Sequence, residues 1–210
     1  MLAENGYSVI ACARREQELL DLQSINSSII PFRMDITSPS DVEKLNDFIG
    51  DKVVNVSINC AGGNNFKRTD LFEESSFLEM NELFLKNASG NFNLIKSISK
   101  KMSGADAPIV IVFTAMSGHN FDPQLGSYSI AKKAESMMTK YMRDSLSGKL
   151  IRVTEVVVSN VDSGHLNSNL PKNSMTLNDI NYVIKSIIGA PNRLNFDTIY
   201  ITDVENPPRI

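Results

Sequence analysis

Hydrophobic and polar positions follow two different periods along this chain. Short apolar runs, typical of buried strands, alternate with longer segments in which apolar residues recur every three to four positions, as on one face of a helix. The predicted strands cover residues 8–13, 29–34, 53–60, 108–114, 151–159 and 196–202. The predicted helices cover residues 16–24, 75–102, 127–146 and 177–188, and a further helix opens at residues 38–41. This alternation predicts an α/β fold in which helices cover a parallel sheet.

Three of the helical segments carry additional signals. At residues 38–41, a serine suited to capping is followed by proline at the first helical position and by an acid three residues after the cap. Gly90 is expected to bend the long segment 75–102. In the helix at 127–146, Met137, Met138 and Met142 are most simply predicted to be core. They belong to an apolar stripe made of Ile130, Ala134, Met137, Met138, Tyr141 and Met142.

Composition narrows the class of protein. With 210 residues, 42% of them hydrophobic, the chain is long enough for one domain with a full core. Its net charge of -3 and pI near 5.5 argue against a nucleic-acid or anionic-membrane surface, so a small molecule is the expected partner. The sequence has neither a charged-then-apolar leader nor an apolar run of about 18 residues, which favours a cytoplasmic protein without a membrane span. Cys12 and Cys60 predict neither a disulfide framework nor a metal site.

The candidate chemistry centres on Tyr128 and Lys132. Residues four apart on a helix share one face, so the ammonium group is expected to lie near the phenol. A nearby positive charge favours the phenolate and lowers a tyrosine pKa from its usual value of about 10. The pattern alone is weak, because a partly buried tyrosine beside a solvated lysine gives the same spacing.

Two further motifs supply the context. Asn59-Cys60-Ala61-Gly62 follows a predicted strand, and Lys86-Asn87-Ala88-Ser89-Gly90 lies inside the long helical segment. With Tyr128 and Lys132, these motifs resemble the short-chain dehydrogenase/reductase family, in order and spacing, from residue 1 to about 204. The resemblance implies a Rossmann-like, doubly wound parallel sheet in one domain over residues 1–210, and an oxidoreductase that interconverts a carbonyl and a secondary alcohol.

The start of the chain departs from the family pattern. Complete members begin with a strand and a Gly-rich turn that binds the dinucleotide pyrophosphate at a helix N-terminus. Residues 1–6 resemble the last turns of that helix, which places the first strand and the turn outside this sequence. In the doubly wound order, the absent strand lies between the strands at residues 8–13 and 53–60. A start assigned too late or a truncated chain explains this pattern, and a degenerate protein is the alternative.

The resemblance assigns catalytic roles residue by residue. Tyr128 exchanges the proton on the substrate oxygen, Lys132 binds the nicotinamide ribose and lowers the tyrosine pKa, and Asn87 holds a water in the proton relay. A structural cap is the alternative role for Asn87. The family's substrate-binding serine is replaced by Ala115, and the loss of such a donor typically costs about 10²–10³ in rate. Ser117 and Thr114 are the possible substitutes, and genuine loss of the donor is equally open.

The resemblance also assigns the cofactor. Ala13 occupies the position of the acid in NAD-preferring members, whereas Arg14, with Arg15 as a second candidate, suits a ribose 2′-phosphate, so NADP is favoured over NAD. A solvated helix start is the alternative for both arginines. The remaining cofactor candidates are Asp35, Asn59, Ala61, Gly62 and Ser163, with Tyr128 and Lys132; Asp35 and the Ala61-Gly62 segment are open to simple turn roles.

The sequence therefore predicts an NADP-dependent oxidoreductase acting on a small carbonyl or alcohol. A catalytically impaired binding protein of the same fold, or a truncated fragment, is the second hypothesis, motivated by Ala115 and the absent Gly-rich turn. The helices that carry Asn87 and Lys132 commonly pack across a dimer interface in the family, so a homodimer or homotetramer is expected.

Overall fold

A computed structural model describes residues 1–63, 76–162 and 174–203 of the chain. The chain divides into two compact units, Met1–Lys52 and Val53–Ile210. Each unit is built from parallel strands connected through helices, which confirms the predicted α/β class. The single domain over residues 1–210 stays a prediction.

The first unit is a two-stranded parallel sheet with two helices. Strand β1 (Val9–Ala13) pairs in register with β2 (Ile29–Arg33), and α1 (Glu16–Ile25) connects them. Helix α2 (Pro39–Ile49) follows. Its predicted cap is confirmed, because the Ser38 side chain accepts a hydrogen bond from the backbone N–H of Asp41 and proline stands at the start of the helix.

The second unit is built on a four-stranded parallel sheet in the order β3-β4-β5-β8. The strands are β3 (Val56–Asn59), β4 (Ile109–Ala115), β5 (Arg152–Val158) and β8 (Thr198–Ile201). The central strands β4 and β5 are buried nearly throughout, as expected for a parallel sheet covered on both faces. A short parallel pair, β6 (Val161–Asp162) and β7 (Met175–Thr176), was not predicted.

The predicted helix at 75–102 is built from several pieces. Helix α3 (Phe77–Phe84) continues through a π-helical turn, Leu85–Ser89, into α4 (Gly90–Ile98), and a 3₁₀ turn, Ser99–Met102, ends the segment. The irregularity therefore falls before Gly90, which itself has ordinary right-handed helical backbone angles. Helices α5 (Gly126–Ser147) and α6 (Leu177–Ile188) match their predicted positions.

The prediction that the methionines of α5 are core is correct for Met142, which is buried, and wrong for Met137; Met138 is partly buried. Ile130, Met137 and Tyr141 are exposed, and Met137 is 60% accessible. The buried face instead carries polar side chains, among them Lys132, Glu135 and Thr139. The reason is that α5 turns its functional face inward, so Ile130, Met137 and Tyr141 of its apolar stripe remain on the surface of the single chain.

Among the described strands, β1 pairs only with β2, and β3 pairs only with β4. Each of these strands therefore keeps one edge without a backbone partner in the described part of the chain. The expectation of a further strand between them stays a prediction. Within the same ranges, no helix is both long and apolar enough to cross a bilayer.

Candidate active site

Tyr128 and Lys132 lie one turn apart near the start of α5, as their spacing predicts. The Lys132 Nζ atom is 5.9 Å from the centre of the Tyr128 ring. Lys132 is only 5% exposed, and Tyr128 is half-buried. The bland alternative of a solvated lysine is therefore wrong, and the ammonium group is a buried charge beside the phenol.

A buried charge requires a partner, and Glu135 supplies it. Its Oε2 atom lies 2.7 Å from Lys132 Nζ, and the residue is 2% exposed. The Asn91 side-chain amide donates to the other oxygen of Glu135 at 2.5 Å. The same amide nitrogen donates to the backbone carbonyls of Asn87 and Ala61, so Asn91 joins α4 to α5 and to the loop after β3.

Asn87 lies inside the π-helical turn, a distortion that is frequent at functional sites. Its side-chain oxygen accepts from the backbone N–H of Gly63 at 2.8 Å, and its amide nitrogen donates to the Gly63 carbonyl at 3.0 Å and to the Leu83 carbonyl at 2.9 Å. The residue is completely buried. Asn87 is therefore not a helix cap, because its side chain ties the helix to the loop after β3.

The loop after β3 passes very close to these side chains. The Asn59 side-chain oxygen accepts from the Ala61 backbone N–H, which tightens the turn at the strand end. A Cβ built on Gly62 would lie 2.5 Å from Asn87 Oδ1 and 3.2 Å from Lys132 Nζ, and the φ of Gly62 is +141°. Only glycine fits this conformation and this spacing without displacing its neighbours.

Burial dominates the proton affinities of the pair. It raises the pKa of Tyr128 above its usual value, and the opposing effect of Lys132 is smaller. The predicted lowering by Lys132 is therefore present but outweighed. Burial also acts to lower the pKa of Lys132, but Glu135 and Tyr128 reverse this effect, and the pKa of Lys132 ends above its usual value.

Ala115 has no hydroxyl that could bind a substrate, and the two possible substitutes for it differ in their hydrogen bonds. The Thr114 hydroxyl is buried and donates to Glu155 Oε1 at 2.7 Å, so it is committed to β5. Ser117 lies in a 3₁₀ turn, Met116–Gly118, and its hydroxyl is buried without a hydrogen-bond partner in the described part of the chain. Ser117 lines a cavity with Ile130 and Lys133, on a different side of α5 from Tyr128.

The cofactor candidates of the first unit have different surroundings. Arg14 is exposed directly after β1, whereas Arg15 forms an exposed ion pair with Glu18 at 2.8 Å. The Asp35 carboxylate accepts from both the backbone N–H and the hydroxyl of Thr37, which lowers the pKa of Asp35. These contacts match the turn role that was left open for Asp35. Ser163 lies outside the described residues.

Sequence reasoning missed Asn91, Glu135 and Glu155. Two of them had a signal in the sequence, because Glu135 lies three residues after Lys132 and Asn91 lies four residues after Asn87, which are same-face spacings on a helix. Glu155 had none, since a glutamate in a strand usually faces solvent. Here it is buried and bonded to Thr114 and His119.

A comparison with protein families decides the classification. The family model described as short chain dehydrogenase matches residues 1–174. The chain belongs to the short-chain dehydrogenase family.

Relatives from two different organisms match this chain. The chain is 28% identical over 138 residues to 7alpha-hydroxysteroid dehydrogenase of Escherichia coli. This match covers 65% of the chain and 52% of the relative. The chain is 27% identical over 168 residues to NADPH-dependent 1-acyldihydroxyacetone phosphate reductase of Saccharomyces cerevisiae, covering 76% of this chain and 54% of the relative. The chain thus spans about half the length of these relatives.

Solved structures share the fold of this chain. Serine dehydrogenase from Escherichia coli superposes with a TM-score of 0.83 at 16% identity, over 99% of this chain and 91% of its own. An alcohol dehydrogenase from the archaeon Thermococcus sibiricus, complexed with 5-hydroxy-NADP, superposes with a TM-score of 0.82 at 19% identity, over 100% and 91%. These similarities confirm the predicted Rossmann-like α/β architecture.

Proposed function

We propose that this chain is an NADP(H)-dependent oxidoreductase that interconverts a small carbonyl compound and a secondary alcohol, with Tyr128 as the general acid and base. One observation carries the proposal. The Tyr128 ring lies beside a buried ammonium group, Lys132, and Lys132 lies next to a glycine loop held by Asn87. A phenol can exchange a proton with a carbonyl oxygen, and a fixed positive charge favours the phenolate that results.

Each side chain has a distinct role in this proposal. Tyr128 gives its proton to the carbonyl oxygen during reduction and removes it during oxidation. Lys132 stabilises the phenolate that remains after the proton is given, because its ammonium group is buried and held 5.9 Å from the ring centre. Asn87 positions the loop through its two hydrogen bonds to Gly63. The nicotinamide group supplies or accepts the hydride when the cofactor is bound.

The loop after β3 fits a nucleotide cofactor. Gly62 leaves no room for a side chain against Asn87 and Lys132, so backbone rather than side chain faces a ligand there. The Asn59 side-chain nitrogen is a buried donor without a partner among the described residues. In the proposal, Ala61 and Gly62 line the ribose, and Lys132 donates to its hydroxyl groups.

Arg14 supports NADP over NAD. Its guanidinium group is exposed directly after β1. Such a group is suited to bind a ribose 2′-phosphate through charge-assisted hydrogen bonds. Arg15 is less available, because it is paired with Glu18. The yeast relative is NADPH-dependent by name, and the archaeal structure contains an NADP derivative. Asp35 and Ser163 remain candidate contacts.

Ser117 is the remaining substitute for the hydroxyl missing at Ala115. Thr114 is committed to Glu155, whereas the Ser117 hydroxyl has no partner within the described ranges. We propose Ser117 as the substrate donor, which requires its turn to present the hydroxyl toward Tyr128. Removal of the hydroxyl in Ser117→Ala is expected to lower kcat by about 10²-fold. An unchanged kcat would mean that the donor is lost in this chain.

The exposed apolar stripe of α5 supports a homo-oligomer. Ile130, Met137 and Tyr141 face outward, and Phe92 of α4 stacks on Tyr141 with ring centres 6.2 Å apart. An open cavity of about 430 Å³ runs along Ile130 and Met137. We propose that a second copy of the chain covers this stripe with its own α5 stripe, since large exposed apolar patches usually mark interaction sites.

The test is consumption of NADPH with a panel of ketones and aldehydes. Turnover in the parent chain that is lost in Tyr128→Phe supports the proposed enzyme. The alternative is a cofactor-binding protein without catalysis, which Ala115 and the commitment of Thr114 favour. Binding of NADPH by calorimetry, with no turnover on any member of the panel, would support this alternative.

A further inference from the structure

Glu135 is a fully buried carboxylate with two defined partners. Its oxygens contact Lys132 Nζ at 2.7 Å and the Asn91 amide nitrogen at 2.5 Å, and the residue is 2% exposed. A carboxylate at this depth is costly unless it is paired and hydrogen-bonded. The buried charge of Glu135 is tolerated because the oppositely charged Lys132 is buried beside it. The burial of each residue therefore depends on the other.

The contacts of Glu135 connect it to Tyr128, to the π-helical turn of Asn87 and to the loop after β3. Through Asn91 it is joined to the backbone of Asn87 in the π-helical turn and of Ala61 in the loop after β3. Through Lys132 it is joined to the Tyr128 ring. A carboxylate at this junction fixes the ammonium group in one place, because Glu135 and Asn91 are themselves immobilised on two helices.

Few other ionisable groups face the Tyr128, Lys132 and Glu135 cluster in the described part of the chain. The Cys60 thiol, after β3, interacts electrostatically with Lys132 and Glu135. The Glu155 carboxylate of β5 acts on Glu135, and it is itself hydrogen-bonded to His119 Nε2 at 3.0 Å. Glu135 is therefore the carboxylate in direct contact with Lys132, and Glu155 acts from further away.

We propose that Glu135 is a positioning residue that holds Lys132 as a buried ammonium group beside Tyr128. This inference rests on the proposed function, since it concerns the lysine of the same site. The physical reason is the sign of the two effects on Lys132. Burial disfavours the charged form of a lysine, whereas the adjacent carboxylate favours it, so removal of the carboxylate leaves burial unopposed.

The test compares Glu135→Gln with the parent chain by NMR titration of the Lys132 side chain, assigned with Lys132→Met. Asp144→Asn is the matched control, because it removes one carboxylate from an exposed position on the same helix, about 14 Å beyond Glu135. Glu135→Asp retains the charge. We expect Lys132 to lose its proton at lower pH in Glu135→Gln, to change less in Glu135→Asp, and to be unchanged in Asp144→Asn.

A kinetic readout follows from the same change. Carbonyl reduction by Glu135→Gln is expected to decline on the alkaline side at lower pH than reduction by the parent chain, as the ammonium group is lost. A purely structural role for Glu135 would lower the unfolding midpoint of the variant without moving the Lys132 titration. That result, or an unchanged titration with unchanged stability, would overturn the proposal.

If Glu135→Gln does not unfold cooperatively, the parent chain still decides the question. The carboxyl carbon of Glu135 is then titrated by NMR, and an ionised carboxylate at neutral pH is expected. A protonated Glu135 at that pH would overturn the proposal, because it would carry no charge to hold Lys132. Both titrations use the chain without substrate, so an absence of turnover in the parent would count against the proposed function alone.

Discussion

Asn87 and Gly63 exchange a pair of hydrogen bonds between a helix and a loop. The Asn87 side-chain oxygen accepts from the Gly63 N–H at 2.8 Å, and its amide nitrogen donates to the Gly63 carbonyl at 3.0 Å. Where the chain leaves β3, the backbone of Gly63 is therefore hydrogen-bonded by a side-chain amide and not by a neighbouring strand. The arrangement fixes the loop beside Lys132 without a regular backbone ladder.

Replacement of Asn87 tests this link. In Asn87→Ala both backbone groups of Gly63 lose their partner, and an unsatisfied polar group costs about 1–3 kcal/mol. We expect the free energy of unfolding in urea to fall by about 1–3 kcal/mol, together with weaker NADPH binding. Asn81→Ala is the control, because Asn81 is exposed on α3. Equal effects of the two substitutions would contradict the role of Asn87.

Two adjacent glycines form a matched pair for a steric test. Gly62 and Gly63 both have φ of +141°, but an added Cβ meets Asn87 Oδ1 at 2.5 Å only in Gly62. Gly62→Ala and Gly63→Ala therefore share the backbone strain, and Gly62→Ala alone displaces Asn87 and Lys132. We expect Gly62→Ala to lose more affinity for NADPH in calorimetry. Similar losses would show that backbone strain, not the close approach, sets the requirement for glycine.

The pH dependence of the two directions is expected to differ. Burial raises the pKa of Tyr128, so the phenol form is present at all lower pH values. Carbonyl reduction needs this form, and its kcat/KM is expected to stay level through neutral pH and fall only on the alkaline side. Alcohol oxidation needs the phenolate and is expected to rise with pH.

Steady-state profiles in both directions measure this difference. Tyr128→Phe is expected to lose about 10²–10⁴ in kcat, the usual worth of a general acid. Tyr141→Phe removes an exposed phenol from the same helix and should retain activity. A reduction rate that falls through neutral pH would contradict the raised pKa of Tyr128.

The arginines after β1 offer a test of cofactor preference. Arg14→Ala is expected to raise the Kd for NADPH by roughly 10–100-fold, since a charge-assisted hydrogen bond contributes about 1.5–3 kcal/mol. The Kd for NADH should change little, because NADH lacks the 2′-phosphate. Arg15→Ala is the control, as Arg15 is paired with Glu18. Equal losses for NADPH and NADH would argue against recognition of the phosphate by Arg14.

The proposed oligomer is expected to dissociate when a charge is introduced into the apolar stripe of α5. Met137→Lys is expected to shift the parent oligomer to monomer in sedimentation analysis, because a buried unpaired charge disfavours association. Ile25→Lys adds the same charge to an exposed residue of α1 and should leave the assembly unchanged. A parent chain that sediments as a monomer would refute the proposed oligomer.

Several features were available from local pattern alone. The cap at Ser38, the strand positions and the extent of α5 follow from short-range rules, because capping and hydrophobic period act within a few residues. The pairing of Tyr128 with Lys132 belongs to the same group, since helical spacing places the two side chains together. The motif resemblance to short-chain dehydrogenases was confirmed by the family comparison.

Other features depended on contacts between distant parts of the chain. The burial of Lys132 and its pairing to Glu135 decide the charge at the site, and the π-helical turn decides where Asn87 points. The direction of the Tyr128 pKa also reversed, because burial outweighs the nearby charge. The sequence by itself determined which residues share a helix face or end a strand, since those relations are local. Only the tertiary structure decided which face is buried, because burial depends on what packs against it, and that is set by residues far away in the chain.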